Sequence, residues 1–176
     1  MAKPALNIAL QGGGSHGAFA WGILDGLLEE DRFEIAAITA TSAGAMNAVA
    51  LAHGFAQAHH KSKADPRETA REALASFWNG IVQMGALSEA QRAPFELLFG
   101  RGDATNSSAA VWANAMASFW SSAVSPYQIN PFDINPLRQF LLSQIDFDGL
   151  ARHTALKVFV VATRVSTGKA EVFSGK

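Results

Sequence analysis

A serine among small residues is the first feature of the sequence that could carry chemistry. It lies within Ala40-Thr41-Ser42-Ala43-Gly44, between an apolar, β-branched run and a helical pattern. At such a junction a sharp turn lifts the serine above a sheet and points the first helix amides at whatever the serine attacks. The segment therefore predicts a nucleophile elbow, with Ala40 in the place where glycine is usual.

A glycine cluster at an earlier strand-to-helix junction could complement this serine. Residues 12–17 read GGGSHG, and residues without side chains allow several backbone amides to converge on an anion. We expect an oxyanion hole beside the serine, built from Gly12, Gly13, Gly14 and Ser15.

The glycine spacing also fits a competing function, dinucleotide binding. Gly12, Gly14 and Gly17 match the fingerprint G-x-G-x-x-G of a Rossmann site. Such a site needs an acidic residue at the end of the second strand to hold the ribose, whereas here that strand runs into Ser42. The serine stands where the carboxylate is expected, which favours the hydrolytic interpretation.

Two strands, each followed by a helix, are needed to position these residues. The runs Leu6–Leu10 and Ile35–Thr39 predict the strands, and a helix is predicted after each of them. The apolar residues that recur at helical spacing in the first helix are Phe19, Ile23, Leu24, Leu27 and Leu28. The β-α-β-α order predicts that the two strands are parallel and adjacent.

Later elements extend this pattern. Residues 65–68 read DPRE, which has the capping residue, proline and carboxylate typical of a helix start. The apolar face of that helix is predicted to comprise Leu74, Phe77, Trp78, Ile81 and Val82. A helix around Leu137–Leu142 and strands over Leu156–Thr163 and Ala170–Phe173 follow. The predicted fold is α/β, three-layer α/β/α with a mainly parallel central sheet that is incomplete in this chain.

Residues 85–136 interrupt the alternation of strands and helices. A polar loop at 100–108 and a turn-rich segment at 125–136 flank an aromatic stripe. The stripe comprises Val111, Trp112, Ala115, Met116, Phe119 and Trp120. We predict that residues 85–136 form a lid or insertion and that residues 1–176 are the amino-terminal portion of one domain, although such a stripe is more often ordinary core.

Composition excludes several classes of protein. With 49% hydrophobic and 16% charged residues, the 176 residues can bury one sizeable core. A net charge of -1 offers no field that would attract nucleic acid. The chain has no cysteine, no visible signal peptide and no apolar run of membrane-spanning length. We expect a cytoplasmic protein whose membrane contact, if any, is peripheral.

Together the two junctions resemble the beginning of patatin-like phospholipases, including the bacterial NTE-type serine acyl hydrolases. The carrying patterns are GGGxxGA after the first strand and SAGAxNA after the second, and residues 130–137 and 161–168 resemble later parts of bacterial members. The resemblance implies that the chain is the amino-terminal part of such an enzyme, with a lipid or acyl-ester substrate and no cofactor. One departure is His16, where many members carry arginine or lysine, so that any positive charge there depends on pH.

The resemblance also implies a serine-aspartate dyad. In the family the aspartate follows the strand that resembles Leu156–Thr163 by several tens of residues, and this sequence ends earlier. Asp148-Gly149-Leu150 imitates the aspartate turn, but it precedes that strand in what looks like an ordinary surface connection. We therefore expect the aspartate outside residues 1–176, on a carboxy-terminal segment or on a second polypeptide.

None of the 5 histidines fits a Ser-His-Asp triad. His53 lies about three turns along the helix that follows the serine, and His59 and His60 lie farther away. His153 precedes a strand, at the edge where parallel sheets do not keep their active sites. Adjacent His59 and His60 with Asp65 seldom make a metal site, so we expect no metal.

The predicted activity is hydrolysis of a lipid ester, of the phospholipase A, lysophospholipase or carboxylesterase type. Ser42 would attack the carbonyl, and the amides of Gly13 and Gly14 would stabilise the oxyanion. Acyl transfer to an acceptor other than water is one alternative. A non-catalytic lipid-binding fragment is another, because the aspartate is missing.

Overall fold

A computed structural model describes residues 3–60, 64–85, 136–152 and 156–174. The chain divides into two compact units, one of residues 1–100 with 144–176 and one of residues 101–143. Of the second unit, the structure describes only residues 136–143, which belong to one helix. The predicted lid, apart from its two end residues, lies outside the described residues and stays a prediction.

Four strands and five helices make up the described residues. The strands are β1 (Ala5–Leu10), β2 (Glu34–Ala40), β3 (Lys157–Arg164) and β4 (Lys169–Ser174). The helices are α1 (Gly17–Glu30), α2 (Ala43–His60), α3 (Pro66–Gly85), α4 (Pro136–Gln144) and α5 (Phe147–Arg152), and a 3-10 turn at Gly14–His16 precedes α1.

The sheet has the strand order β1-β2-β3-β4 and is mainly parallel. β1 pairs in parallel with β2 and β2 with β3, whereas β4 returns antiparallel to β3. Leu10 lies opposite Ala40, so the last residues of β1 and β2 end together at the carboxyl edge of the sheet. The predicted α/β fold with adjacent parallel first strands is confirmed.

One layer of helices covers a face of this sheet. Helices α1 and α2 contact each other and α3 packs against both, as right-handed crossovers between neighbouring parallel strands would arrange them. The largest fully buried side chains of this core are Leu24, Leu28, Ile38, Asn47, Leu51, Leu74 and Phe77. Asn47 is the one polar residue among them, and its role belongs to the site described below.

Helix α3 begins at its predicted residues. The Asp65 carboxylate accepts a hydrogen bond from the Arg67 amide at 2.9 Å, which caps the first turn. The buried apolar positions of α3 are Leu74, Phe77, Trp78 and Ile81. The prediction for Val82 is wrong, since that side chain is 69% exposed. Val82 lies about 100° around the helix from Ile81, outside the buried stripe.

The surface connection predicted before β3 contains the short helix α5, in which most residues are exposed. Asp146 caps it, because its carboxylate accepts the Gly149 amide at 2.9 Å and its carbonyl accepts the Leu150 amide at 2.9 Å. Gly149 is buried and approaches Asp146 closely. The sequence signal for the start of this helix was Asp146, a capping residue three positions before Gly149, which packs against it.

Candidate functional site

Ser42 occupies the turn between β2 and α2 at the carboxyl edge of the sheet. Its φ of 50° is left-handed, a conformation that costs a non-glycine residue on the order of 1 to 3 kcal/mol and is concentrated at functional sites. Backbone hydrogen bonds hold the turn: the Thr41 amide donates to the Leu10 carbonyl at 3.2 Å, and the Ala45 amide donates to the Ser42 carbonyl at 2.9 Å. Ser42 is exposed, whereas the next residue, Ala43, is buried.

The glycine segment forms a compact loop at the end of β1. Gly14 has a left-handed φ of 56° and opens the 3-10 turn that leads into α1. The His16 amide donates to the Gly13 carbonyl at 3.1 Å, and the His16 Nδ1 lies 3.0 Å from the same oxygen. His16 therefore folds back onto its own loop, as a residue that lines it.

The two junctions meet through glycines that leave no room for a side chain. A Cβ atom on Gly12 would lie 2.8 Å from the Ser42 Cβ and 3.5 Å from its Oγ. A Cβ atom on Gly44 would lie 2.5 Å from the Leu10 carbonyl oxygen. The fold thus places the start of the glycine loop directly beside the serine, as the sequence predicts.

The amides of the loop differ in what they contact. The Gly12 amide donates to the Thr41 Oγ1 at 3.0 Å, so in this structure it is already engaged within the protein. The amides of Gly13, Gly14 and Ser15 donate to no acceptor among the described residues. Those three amides are therefore the loop donors available to an anion.

A buried asparagine, to which the sequence patterns assign no role, joins this loop to two helices. Asn47, on the second turn of α2, donates from Nδ2 to the Gly17 carbonyl at 2.9 Å and accepts the Trp78 Nε1 at 2.8 Å. Gly17 itself packs against Ala43 and the Trp78 ring, and Trp78 stacks on Trp21 at 6.3 Å between ring centroids. A single polar residue within the otherwise apolar residues 43–52 at the start of α2 was the available signal.

An apolar groove adjoins the glycine loop. Its volume is about 350 Å³, and it lies between β1 and α1. Gly12, Gly13 and His16 form its end near the serine, and Phe19 and Ile23, which are 76% and 52% exposed, line it farther along. None of its lining residues carries a fixed charge.

The family called patatin-like phospholipase matches residues 8–175 of the chain. The chain belongs to this family. The predicted resemblance is therefore confirmed over nearly the whole sequence, and it groups the chain with lipid acyl hydrolases. No curated protein and no solved structure matches the chain.

In this patatin-like chain, the Ser42 hydroxyl has no hydrogen bond to a carboxylate or an imidazole of the described residues. Four described aspartates are engaged elsewhere. Asp25 pairs with Arg71, and Asp31 pairs with Lys3 and Arg67. Asp65 caps α3, and Asp146 caps α5. Asp148 is exposed in the first turn of α5, ahead of β3. No base for the serine is found in the part of the chain that the structure describes.

Among the described residues, His53 and His59 lie farther along α2 than the serine turn, whereas His16 lines the glycine loop. His53 is 6% exposed within α2, where its Nδ1 accepts the Asp146 amide at 3.4 Å and its Nε2 lies 3.0 Å from the Gln57 side-chain amide. Burial lowers the pKa of His53, against the raising effect of the Asp146 carboxylate. His153 and the side chain of His60 lie outside the described residues.

Within residues 3–60, 64–85, 136–152 and 156–174, no three side chains of His, Asp or Glu are grouped in a way that could hold a metal ion. None of the described helices combines the length and the apolarity that crossing a membrane requires.

The opposite edge of the sheet, where the strands begin, has a different chemistry. A cavity of about 850 Å³ is lined there by charged side chains of both signs. Arg67 reaches across it and donates to the carbonyls of Leu27, at 3.1 Å, of Leu28, at 3.2 Å, and of Phe33. The Leu27 and Leu28 carbonyls lie in the last turn of α1, where carbonyls lack helical partners, and the Phe33 carbonyl lies between α1 and β2.

Proposed function

We propose that Ser42 is the nucleophile of a lipid acyl hydrolase. Its Oγ attacks the ester carbonyl carbon, its proton passes to a base, and the alcohol leaves with a proton as the acyl-serine forms. Water then attacks the acyl-serine and releases the carboxylic acid, which restores the serine hydroxyl.

The observation that carries this proposal is the left-handed Ser42 beside the glycine loop. The strained backbone of Ser42 is not explained by packing, because its side chain is exposed. The three nearby loop amides have no acceptor among the described residues. We infer that the amides of Gly13, Gly14 and Ser15, with the first amide of α2 at Ala43, stabilise the oxyanion. The apolar groove next to the loop offers the uncharged surface that an acyl chain needs.

The base is proposed to be an aspartate from outside residues 1–176, on a following segment or on a second polypeptide. The family supports an aspartate in this role, and no described carboxylate contacts Ser42. The phospholipid or lysophospholipid nature of the ester is likewise a proposal, which rests on the family alone.

A fluorophosphonate probe tests the nucleophile. The intact protein is expected to be labelled, with peptide mass spectrometry placing the adduct on Ser42, and Ser42→Ala should remain unlabelled. Hydrolysis of p-nitrophenyl esters should disappear in the same variant. Labelling on another serine with activity retained in Ser42→Ala would rule out the assignment.

A further inference from the structure

The glycine loop is hydrogen-bonded at both of its ends to residues that flank Ser42. At its start, the Gly12 amide donates to the Thr41 Oγ1 at 3.0 Å. At its end, the Gly17 carbonyl accepts the Asn47 Nδ2 at 2.9 Å. The loop amides of Gly13, Gly14 and Ser15 lie between these two attachments.

The first attachment joins the loop to the residue immediately before the serine. Thr41 contributes its hydroxyl, while its backbone amide donates to the Leu10 carbonyl at 3.2 Å. Any rotation of the serine turn therefore moves the start of the loop with it. Because Gly12 already lies against the Ser42 Cβ, this hydrogen bond sets the loop position at short range.

The second attachment joins the end of the loop to the helix that the serine begins. Asn47 is 0% exposed, so its amide group must find hydrogen-bond partners within the protein. The Trp78 Nε1 donates a hydrogen bond to the Asn47 Oδ1 at 2.8 Å. This bond fixes the orientation of the asparagine amide group, so that its Nδ2 is directed at the Gly17 carbonyl. The tryptophan thereby holds the asparagine in the one orientation that binds the loop.

We propose that Thr41 and Asn47 are positioning residues that hold the oxyanion loop at a fixed distance from Ser42. Neither side chain needs to touch the substrate. Their effect follows from the geometry of catalysis, in which a displacement of about 1 Å can cost on the order of 100-fold in rate. The inference rests on the proposed function of Ser42 as nucleophile.

The test compares Thr41→Val with Thr41→Ser in the intact protein, using p-nitrophenyl ester hydrolysis. Valine keeps the shape of threonine without the acceptor, so kcat is expected to fall about 10- to 100-fold with KM little changed. Serine keeps the hydroxyl and should restore most of kcat. Asn47→Asp, which loses the Nδ2 donor at the other end of the loop, should lower kcat in the same direction.

The matched control is Thr69→Val. The Thr69 Oγ1 also makes one intramolecular hydrogen bond, to the Asp65 carbonyl at 2.9 Å, but it lies at the start of α3. This variant should lose stability without losing kcat per folded molecule. Unchanged kcat in Thr41→Val, or equal losses in Thr41→Val and Thr69→Val, would overturn the positioning role.

The outcome for Ser42→Ala separates the two proposals. If Ser42→Ala is inactive while Thr41→Val keeps full kcat, the nucleophile stands and the positioning role is rejected. If Ser42→Ala is fully active, the proposed function itself fails.

Discussion

Two residues other than glycine have a left-handed backbone in the described part of the chain, and they lie at opposite edges of the sheet. Asp31, with φ of 49°, ends α1 at the amino edge, and Ser42, with φ of 50°, begins α2 at the carboxyl edge. The Asp31 carboxylate pairs with Lys3 and Arg67, and the hydrogen bond from Lys3 is the main cause that lowers its pKa. The Ser42 hydroxyl has no such described partner.

The comparison separates a strained residue that serves the fold from one that is available for chemistry. At the amino edge, charged side chains hold the chain reversal, and Arg67 satisfies carbonyls at the end of α1. At the carboxyl edge, Gly12 lies close against Ser42 and Gly44 lies close against the Leu10 carbonyl, and Ser42 itself is exposed. The same backbone conformation therefore occurs at one edge with its side chain held in ion pairs and at the other with an exposed hydroxyl, which we propose to be the nucleophile.

The largest expected effect lies in the activity of Ser42 variants. Ser42→Ala and Ser42→Gly should each lower kcat on the order of 10⁶-fold, because the nucleophile is gone. Glycine accepts a φ of 50° without strain, so Ser42→Gly should unfold at higher denaturant than Ser42→Ala, by about 1 kcal/mol. Equal stability of the two variants would show that the turn is not strained.

The close backbone contact at the carboxyl edge predicts the next largest effect. Gly44→Ala would place a Cβ 2.5 Å from the Leu10 carbonyl oxygen and should destabilise the fold by about 3 kcal/mol. Gly22→Ala is the matched control, since nothing lies within 4 Å of its Cβ in the exposed middle of α1. That control should stabilise the protein by about 1 kcal/mol in urea denaturation. Similar losses in both variants would contradict the contact argument.

At the amino edge, Arg67→Met should destabilise without affecting chemistry. The variant keeps much of the aliphatic stem but leaves the carbonyls of Leu27 and Leu28 without their donor, at a cost of about 2 kcal/mol. Arg32→Met, at a side chain that is 70% exposed and that pairs with Glu30 and lies over the Phe33 ring, should cost far less. A change in kcat per folded Arg67→Met molecule would show that the amino edge influences catalysis and would contradict its purely structural role.

The smallest effect concerns pH and the buried His53. Because burial lowers its pKa in the folded protein, the unfolded chain binds more protons once the pH falls below the ordinary value of 6.5. The folded state is therefore expected to lose stability on acidification through that range. His53→Gln should flatten this part of the stability profile between pH 7.5 and pH 5.5, as measured by urea denaturation. An identical slope in the variant would assign the loss to other groups.

Much of the fold could be predicted from local patterns. The predicted strands Leu6–Leu10 and Ile35–Thr39 agree with the observed strands to within one residue at each end. Apolar runs bounded by glycine and small residues are strong local signals. The start of α3 was equally clear, since capping chemistry acts within one turn. The exposure of Phe19 and Ile23 could not be seen, because helical spacing marks a stripe without saying what covers it.

For the candidate site, the sequence by itself determined which residues could react: a serine at one strand-to-helix junction and a glycine cluster at another. Tertiary structure decided which amides remain available, because Gly12 donates to the Thr41 hydroxyl, a contact between residues 29 positions apart. It also gave Asn47 its role, since its partners Gly17 and Trp78 lie 30 and 31 positions away. Periodicity and capping report on neighbours within a few residues, whereas these hydrogen bonds exist only after parallel strands and packed helices bring distant residues together.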